Sequence, residues 1–147
     1  MINFKIVIKM LGVVFLAMGV FMVLPLLVTV FTSTGEITSF LFSSAICIAI
    51  GLPFIVVKPR INKIGKREGY LIVALSWLVM SLAATLPYLF EGVISSFSSA
   101  FFESTSGLTT TGASVFTDIE SLPHGILFWR SFTQWIGGMG IIVLTVA

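Results

Sequence analysis

The chain is 147 residues long, 57% apolar and only 10% charged, with a mean hydropathy of +1.13 and a net charge of +2. A soluble domain carries about 25% charged residues, so the composition excludes an ordinary water-soluble fold and points to an integral membrane protein. One cysteine, Cys47 in the run Ala45-Ile46-Cys47-Ile48-Ala49-Ile50, excludes an internal disulfide and a cysteine-based zinc site, and reads as a small packing residue.

A crossing helix needs about 20 apolar residues, and four segments have that length: Ile6 to Phe31, Ile37 to Val57, Tyr70 to Phe90 and Ile126 to Ala147. Pro25, Pro53 and Pro87 stand near the distal ends of the first three, where each removes a backbone donor and is expected to bend its helix. Lys5 and Lys9 ahead of the first segment suggest a signal peptide, but the apolar run exceeds an h-region of about 7–15 residues and lacks an Ala-x-Ala site, so an uncleaved anchor is expected.

Charge sets the expected sidedness. Lys5, Lys9, Lys58, Arg60, Lys63, Lys66 and Arg67 are seven of the eight basic residues, and all fall on one side, which the positive-inside rule makes cytoplasmic. Acidic Glu36, Glu91, Asp118 and Glu120 fall on the other side. The basic stretch serves as a topology signal that meets anionic lipid head groups. This reading makes the chain multi-pass with a cytoplasmic N-terminus.

Between the third and fourth segments runs Phe101-Phe102-Glu103-Ser104-Thr105-Ser106-Gly107-Leu108-Thr109-Thr110-Thr111-Gly112-Ala113-Ser114-Val115. Residues 95–116 are too few for two crossings and too rich in Ser, Thr and Gly for one lipid-facing span. Phe97, Ala100, Phe101, Ser104 and Leu108 recur at helical spacing, which predicts a half-helix ending at Gly107. Thr109 to Thr111 then favour extended backbone, and Gly112 can take positive φ. A re-entrant loop of this kind survives only where it lines a water-filled path or is buried in protein. Carbonyls and Thr oxygens would there replace a cation's hydration shell. The competing arrangement is an outer loop whose amphipathic helix lies in the interface plane.

Three polar residues are candidates for supporting the loop. Glu103 lies inside the half-helix, where a carboxylate needs a cavity or a donor; it either faces the ion path or braces the loop from behind, the second being favoured. Arg130 and Gln134 share a helix face in Phe128-Trp129-Arg130-Ser131-Phe132-Thr133-Gln134-Trp135-Ile136-Gly137-Gly138-Met139-Gly140. Arg130 either snorkels to the outer interface or pairs with Glu103, Asp118 or Glu120. Trp129 and Trp135 suit an interfacial belt, and the glycines let another helix or the loop approach closely. His124 reads as a turn residue, without a second metal ligand at metal spacing. No nucleophile–base set, phosphate-binding loop or nucleic-acid face is present, so no enzyme and no cofactor are expected.

The segment Leu108 to Val115, followed at this distance by Phe128 to Ile141, resembles the TrkH branch of the Trk/Ktr/HKT potassium transporters, strongly from Phe101 to Ala147. The resemblance implies an all-α integral membrane fold, in which two leading transmembrane helices (1–57) precede a basic cytoplasmic loop (58–69) and a first helix–pore loop–helix repeat (70–147). Thr110, Thr111, Gly112 and Ala113 would be the filter residues that take potassium, with Gly112 as selectivity glycine. It further implies four non-identical repeats, a homodimer in the inner membrane and a cytoplasmic nucleotide-binding regulatory ring. The chain then reads as the N-terminal piece of a longer transporter. The alternatives are a subunit of a homotetrameric cation channel and a non-conducting membrane scaffold.

Overall fold

A computed structural model describes residues 3–32, 35, 37–57 and 65–146, and its regular elements are all helical. Lys58, Arg60, Lys63 and Glu36, on which the expected sidedness partly rests, lie outside the described residues, as does Ala147. In chain order the helices are α1 (Phe4–Phe21), α2 (Val23–Thr32), α3 (Ile37–Val56), α4 (Lys66–Glu91), α5 (Phe97–Leu108) and α6 (His124–Val146).

The first expected span is one helical column interrupted at Met22. Pro25 has no N–H to offer the carbonyl of Phe21, so the ladder is carried past the gap by Met22, whose amide bonds Met18 O and whose carbonyl accepts from Leu26. Pro53 and Pro87, by contrast, lie inside continuous helices. Helix α4 starts at Lys66, ahead of the expected Tyr70, and ends on Gly92 with φ +74, a left-handed cap suited to glycine.

Among the described residues three helical stretches are long and apolar enough to cross a membrane: Phe4–Thr32, Ile37–Val56 and Lys66–Glu91. At 1.5 Å per residue, even the shortest, of 20 residues, reaches about 30 Å. Helix α6 has the length of the expected fourth span, 23 residues, but is not among these three. Its first half carries Arg130, Ser131, Thr133 and Gln134, and the two of these that are most covered, Arg130 and Thr133, turn toward protein.

Packing follows small residues. Helices α1 and α3 make the most extensive pairing, and Gly12, Gly19 and Gly51 let their backbones close on one another. Cys47 is fully buried beside Gly19, in keeping with a packing role. A Cβ on Gly51 would lie 2.8 Å from Gly12 O and 3.0 Å from Leu16 N. Gly51→Val is therefore expected to destabilise the chain by about 1–3 kcal/mol through overpacking. Thermal unfolding of purified protein in detergent checks this; an unchanged midpoint would mean that the two helices do not cross here.

Helix α5 is wedged between α4 and α6, whose backbones come close to each other at few points. Buried hydroxyls join it to α4: Thr85 Oγ1 lies 3.2 Å from Ser104 Oγ, while each bonds a carbonyl one turn back in its own helix. Each hydroxyl thereby keeps a partner in an apolar surrounding. Trp129 joins α6 to α4. It is fully buried rather than in an interfacial belt, and its indole N–H donates to Ala84 O at 3.1 Å, in the turn before Pro87. Trp135 remains 58% exposed.

Candidate functional site

The loop begins where α5 ends, one residue beyond the expected stop. Gly107 is inside the helix and fulfils a packing role: a Cβ there would meet Thr133 Oγ1 of α6 at 2.7 Å. The cap is built instead by the threonines. Thr109 Oγ1 donates to Thr105 O at 2.8 Å, the Thr110 amide to Gly107 O and the Thr111 amide to Ser106 O, both at 3.0 Å. Thr109 and Thr110 are thus turn residues, not the extended backbone that their β-branching suggested. Thr110 has φ +56 and Gly112 φ +78, so the backbone reverses its hand twice within three residues.

Thr110, Thr111, Gly112 and Ala113 are all exposed at the surface of this chain. Ser106 Oγ donates to Ala113 O, which turns that carbonyl back toward α5. Thr111 Oγ1 lies 2.8 Å from Thr109 Oγ1 and donates to it, since the Thr109 proton goes to Thr105 O. The segment is therefore a short irregular hairpin clipped at both ends onto the C-terminal half of the helix.

Glu103 is the main clip. It is only 3% exposed, and its Oε2 accepts from the Val115 amide at 2.9 Å and from Ser114 Oγ at 3.0 Å. Its Oε1 lies 2.8 Å from Arg130 Nε of α6. The Nε–H does not point along that line, so this is a charge contact rather than an aligned hydrogen bond. The Arg130 guanidinium also stands 5.4 Å from the Phe116 ring centroid, a cation–π position. One carboxylate thus binds the returning strand and the following helix at once, and its charge is matched. Of the expected partners for Arg130, the structure brings Glu103 to it.

Gln134 is exposed and borders the same small recess, with Tyr88, Gly107 and Thr133, but it contacts neither Glu103 nor the hairpin through a hydrogen bond. The glycines of α6 allow the expected close approach. A Cβ on Gly137 would come to 2.6 Å of the Leu108 carbonyl carbon, so α6 lies directly against the end of α5. Sequence reasoning missed Ser106, Ser114, Phe116 and Thr133. The two serines flank Thr-Thr-Thr-Gly and were legible only as polar content, because a hydroxyl's target is set by the turn it faces.

A half-helix thus lies between two longer helices and carries a tethered irregular hairpin at its C-terminal end, in a chain with three described stretches long and apolar enough to cross a membrane. The TrkH family of cation transport proteins matches residues 36–147, and the chain belongs to that family. It is 41% identical to the Trk system potassium uptake protein TrkH of Salmonella typhimurium and 34% identical to an uncharacterized cation transporter of Methanocaldococcus jannaschii. These alignments cover 99% and 95% of the chain, and 30% and 29% of the relatives. The crystal structure of the potassium transporter TrkH from Vibrio parahaemolyticus superposes with a TM-score of 0.93 at 37% identity, covering 99% of this chain and 31% of that one. The chain thus spans about three tenths of the length of these relatives.

Proposed function

We propose that this chain forms one wall of a potassium-conducting path, with the backbone of Thr110, Thr111 and Gly112 facing the ion and Ala113 tied behind by Ser106. Glu103 and Arg130 support the hairpin, and Gln134 borders it. The observation that carries the reading is the double tether of an exposed, twice-reversed hairpin through a buried carboxylate. Such rigidity suits a group that must replace water around a cation at fixed distances. The C-terminal carbonyls of α5 add partial negative charge at the same end.

The relatives' names, potassium uptake proteins of the Trk system, support potassium as the transported ion and transport rather than catalysis. The sequence's charge distribution supports a multi-pass chain with a cytoplasmic N-terminus, and the family resemblance favours the inner membrane. One wall does not close a filter, so the remaining ligands come from further repeats of the same transporter. A homodimer regulated by a cytoplasmic nucleotide-binding ring is the assembly that the family resemblance favours.

The test is a chimera in which residues 1–147 replace the matching 31% of Vibrio parahaemolyticus TrkH, expressed in cells lacking potassium uptake. The chimera should restore growth at low potassium. Gly112→Ser places a Cβ at φ +78 and should lower potassium-over-sodium discrimination by about tenfold or more. Discrimination unchanged by Gly112→Ser would remove the hairpin from the ion path.

A further inference from the structure

Away from the hairpin, α1, α4 and α6 border an open groove of about 490 Å³. Phe21, Val73, Trp77, Met80, Trp135 and Met139 are among its walls, and Ser76 brings its one hydroxyl. Water finds few partners in such a place. A crossing helix is too bulky for it: over the stretch from Ile72 to Met80, about 12 Å, a helix about 10 Å across fills roughly 1,000 Å³. The groove suits a thin, flexible, apolar occupant.

Charge stands at one end of the same face. Lys66, Gly69, Val73, Ser76 and Met80 recur at spacings of three and four, so Lys66 begins the stripe of α4 that borders the groove. Lys66 and Arg67 are exposed, and neither has an ion-pair partner among the described residues. The adjacent acid is engaged elsewhere: Glu68 accepts from the Asn3 amide at 3.1 Å, at the start of α1. A Cβ on Gly69 would meet no atom within 4 Å, so the stripe is bare between the charge and the groove.

The lengths agree as well. At 1.5 Å per residue, Ile72 to Met80 lie about 9–21 Å along the axis from Lys66. One leaflet of a hydrocarbon core of about 30 Å is about 15 Å deep. A lipid whose head group meets Lys66 therefore has its tail at the level of the groove.

We propose that Lys66 and this groove form a site for an anionic phospholipid of the cytoplasmic leaflet. The head group pairs with Lys66 and Arg67, and one acyl chain runs past Gly69 to lie between Trp77 and Trp135. The site rests on the cytoplasmic placement of Lys66 and is independent of the filter reading.

The experiment takes the chimera, stripped of lipid in detergent, and titrates it with phosphatidylglycerol or phosphatidylcholine carrying brominated acyl chains. Bromine quenches indole fluorescence on contact, so Trp77 and Trp135 report the tail. Phosphatidylglycerol should half-quench at a concentration at least about fivefold below that of phosphatidylcholine. Lys66→Gln, at an exposed position, should weaken phosphatidylglycerol about fivefold and leave phosphatidylcholine unchanged. Replacing both Trp77 and Trp135 by Phe should remove the quenching component that Lys66→Gln weakens. Equal potency of the two lipids, or Lys66→Gln without effect, overturns the proposal. So does a charge-sensitive component that survives the loss of both indoles, because the lipid then binds elsewhere. Absence of quenching in the unmodified chimera overturns it too, and shows the groove covered by another segment of the transporter.

Discussion

Arg130→Gln and Glu103→Gln are each expected to abolish most uptake by the chimera and to lower the melting temperature of the chain by on the order of 10 °C. Removing Arg130 leaves Glu103, 3% exposed, as a buried charge without its counter-ion. Breaking such a pair from one side commonly costs about 3–5 kcal/mol, a large share of the roughly 5–15 kcal/mol that holds a typical domain together. Glu103→Gln fails differently. A carboxylate serves Arg130 with one oxygen and the Val115 amide with the other, whereas an amide has one oxygen and must turn its NH2 toward one of two donors. The double variant should lie much closer to either single variant than to their sum, because both remove the same contact. Additive losses would show that the two residues act separately.

Gly137→Ala and Gly140→Ala should move stability in opposite directions, although both lie in the interior of α6 and both improve helix propensity by about 1 kcal/mol. At Gly140 the nearest atoms to a new Cβ belong to Trp77 at 3.9 Å, ordinary contact, so the propensity gain should survive as a small rise in melting temperature. At Gly137 the new Cβ overlaps the Leu108 carbonyl and reaches 3.0 Å from Leu108 Cα. Those atoms are the backbone of the last turn of α5, which cannot rotate away like a side chain. The strain, about 1–3 kcal/mol for overpacking and more when backbone must move, outweighs the gain. The hairpin is capped on that same turn, so discrimination should fall along with stability. Equal melting temperatures for the two variants would show that α6 does not lie against α5.

The sequence by itself determined the class and the inventory of this protein. Long apolar runs have no soluble solution, so the helices and their approximate spans were legible from composition. The polar interlude from Glu103 to Val115 was legible because hydroxyls and a carboxylate between two long apolar runs demand partners. A charge in a half-helix and another in the next span invited pairing, and the glycines of α6 announced a close approach. None of these signals names the atoms that meet.

Only the tertiary structure decided where α5 stops and which threonine takes left-handed backbone. The helix runs past Gly107 because that glycine faces Thr133, a contact between distant segments, and capping bonds then assign positive φ to Thr110 against its local preference. Trp129 reads as an interfacial anchor in sequence, yet burial against Ala84 makes it a strut between α6 and α4. Met22, not Pro25 itself, marks the interruption of the first helix, because a proline's missing donor is felt one turn upstream. Pattern along the chain reports each residue's preference for lipid, water or a turn. Which preference yields, and to which partner, depends on contacts between residues far apart in sequence.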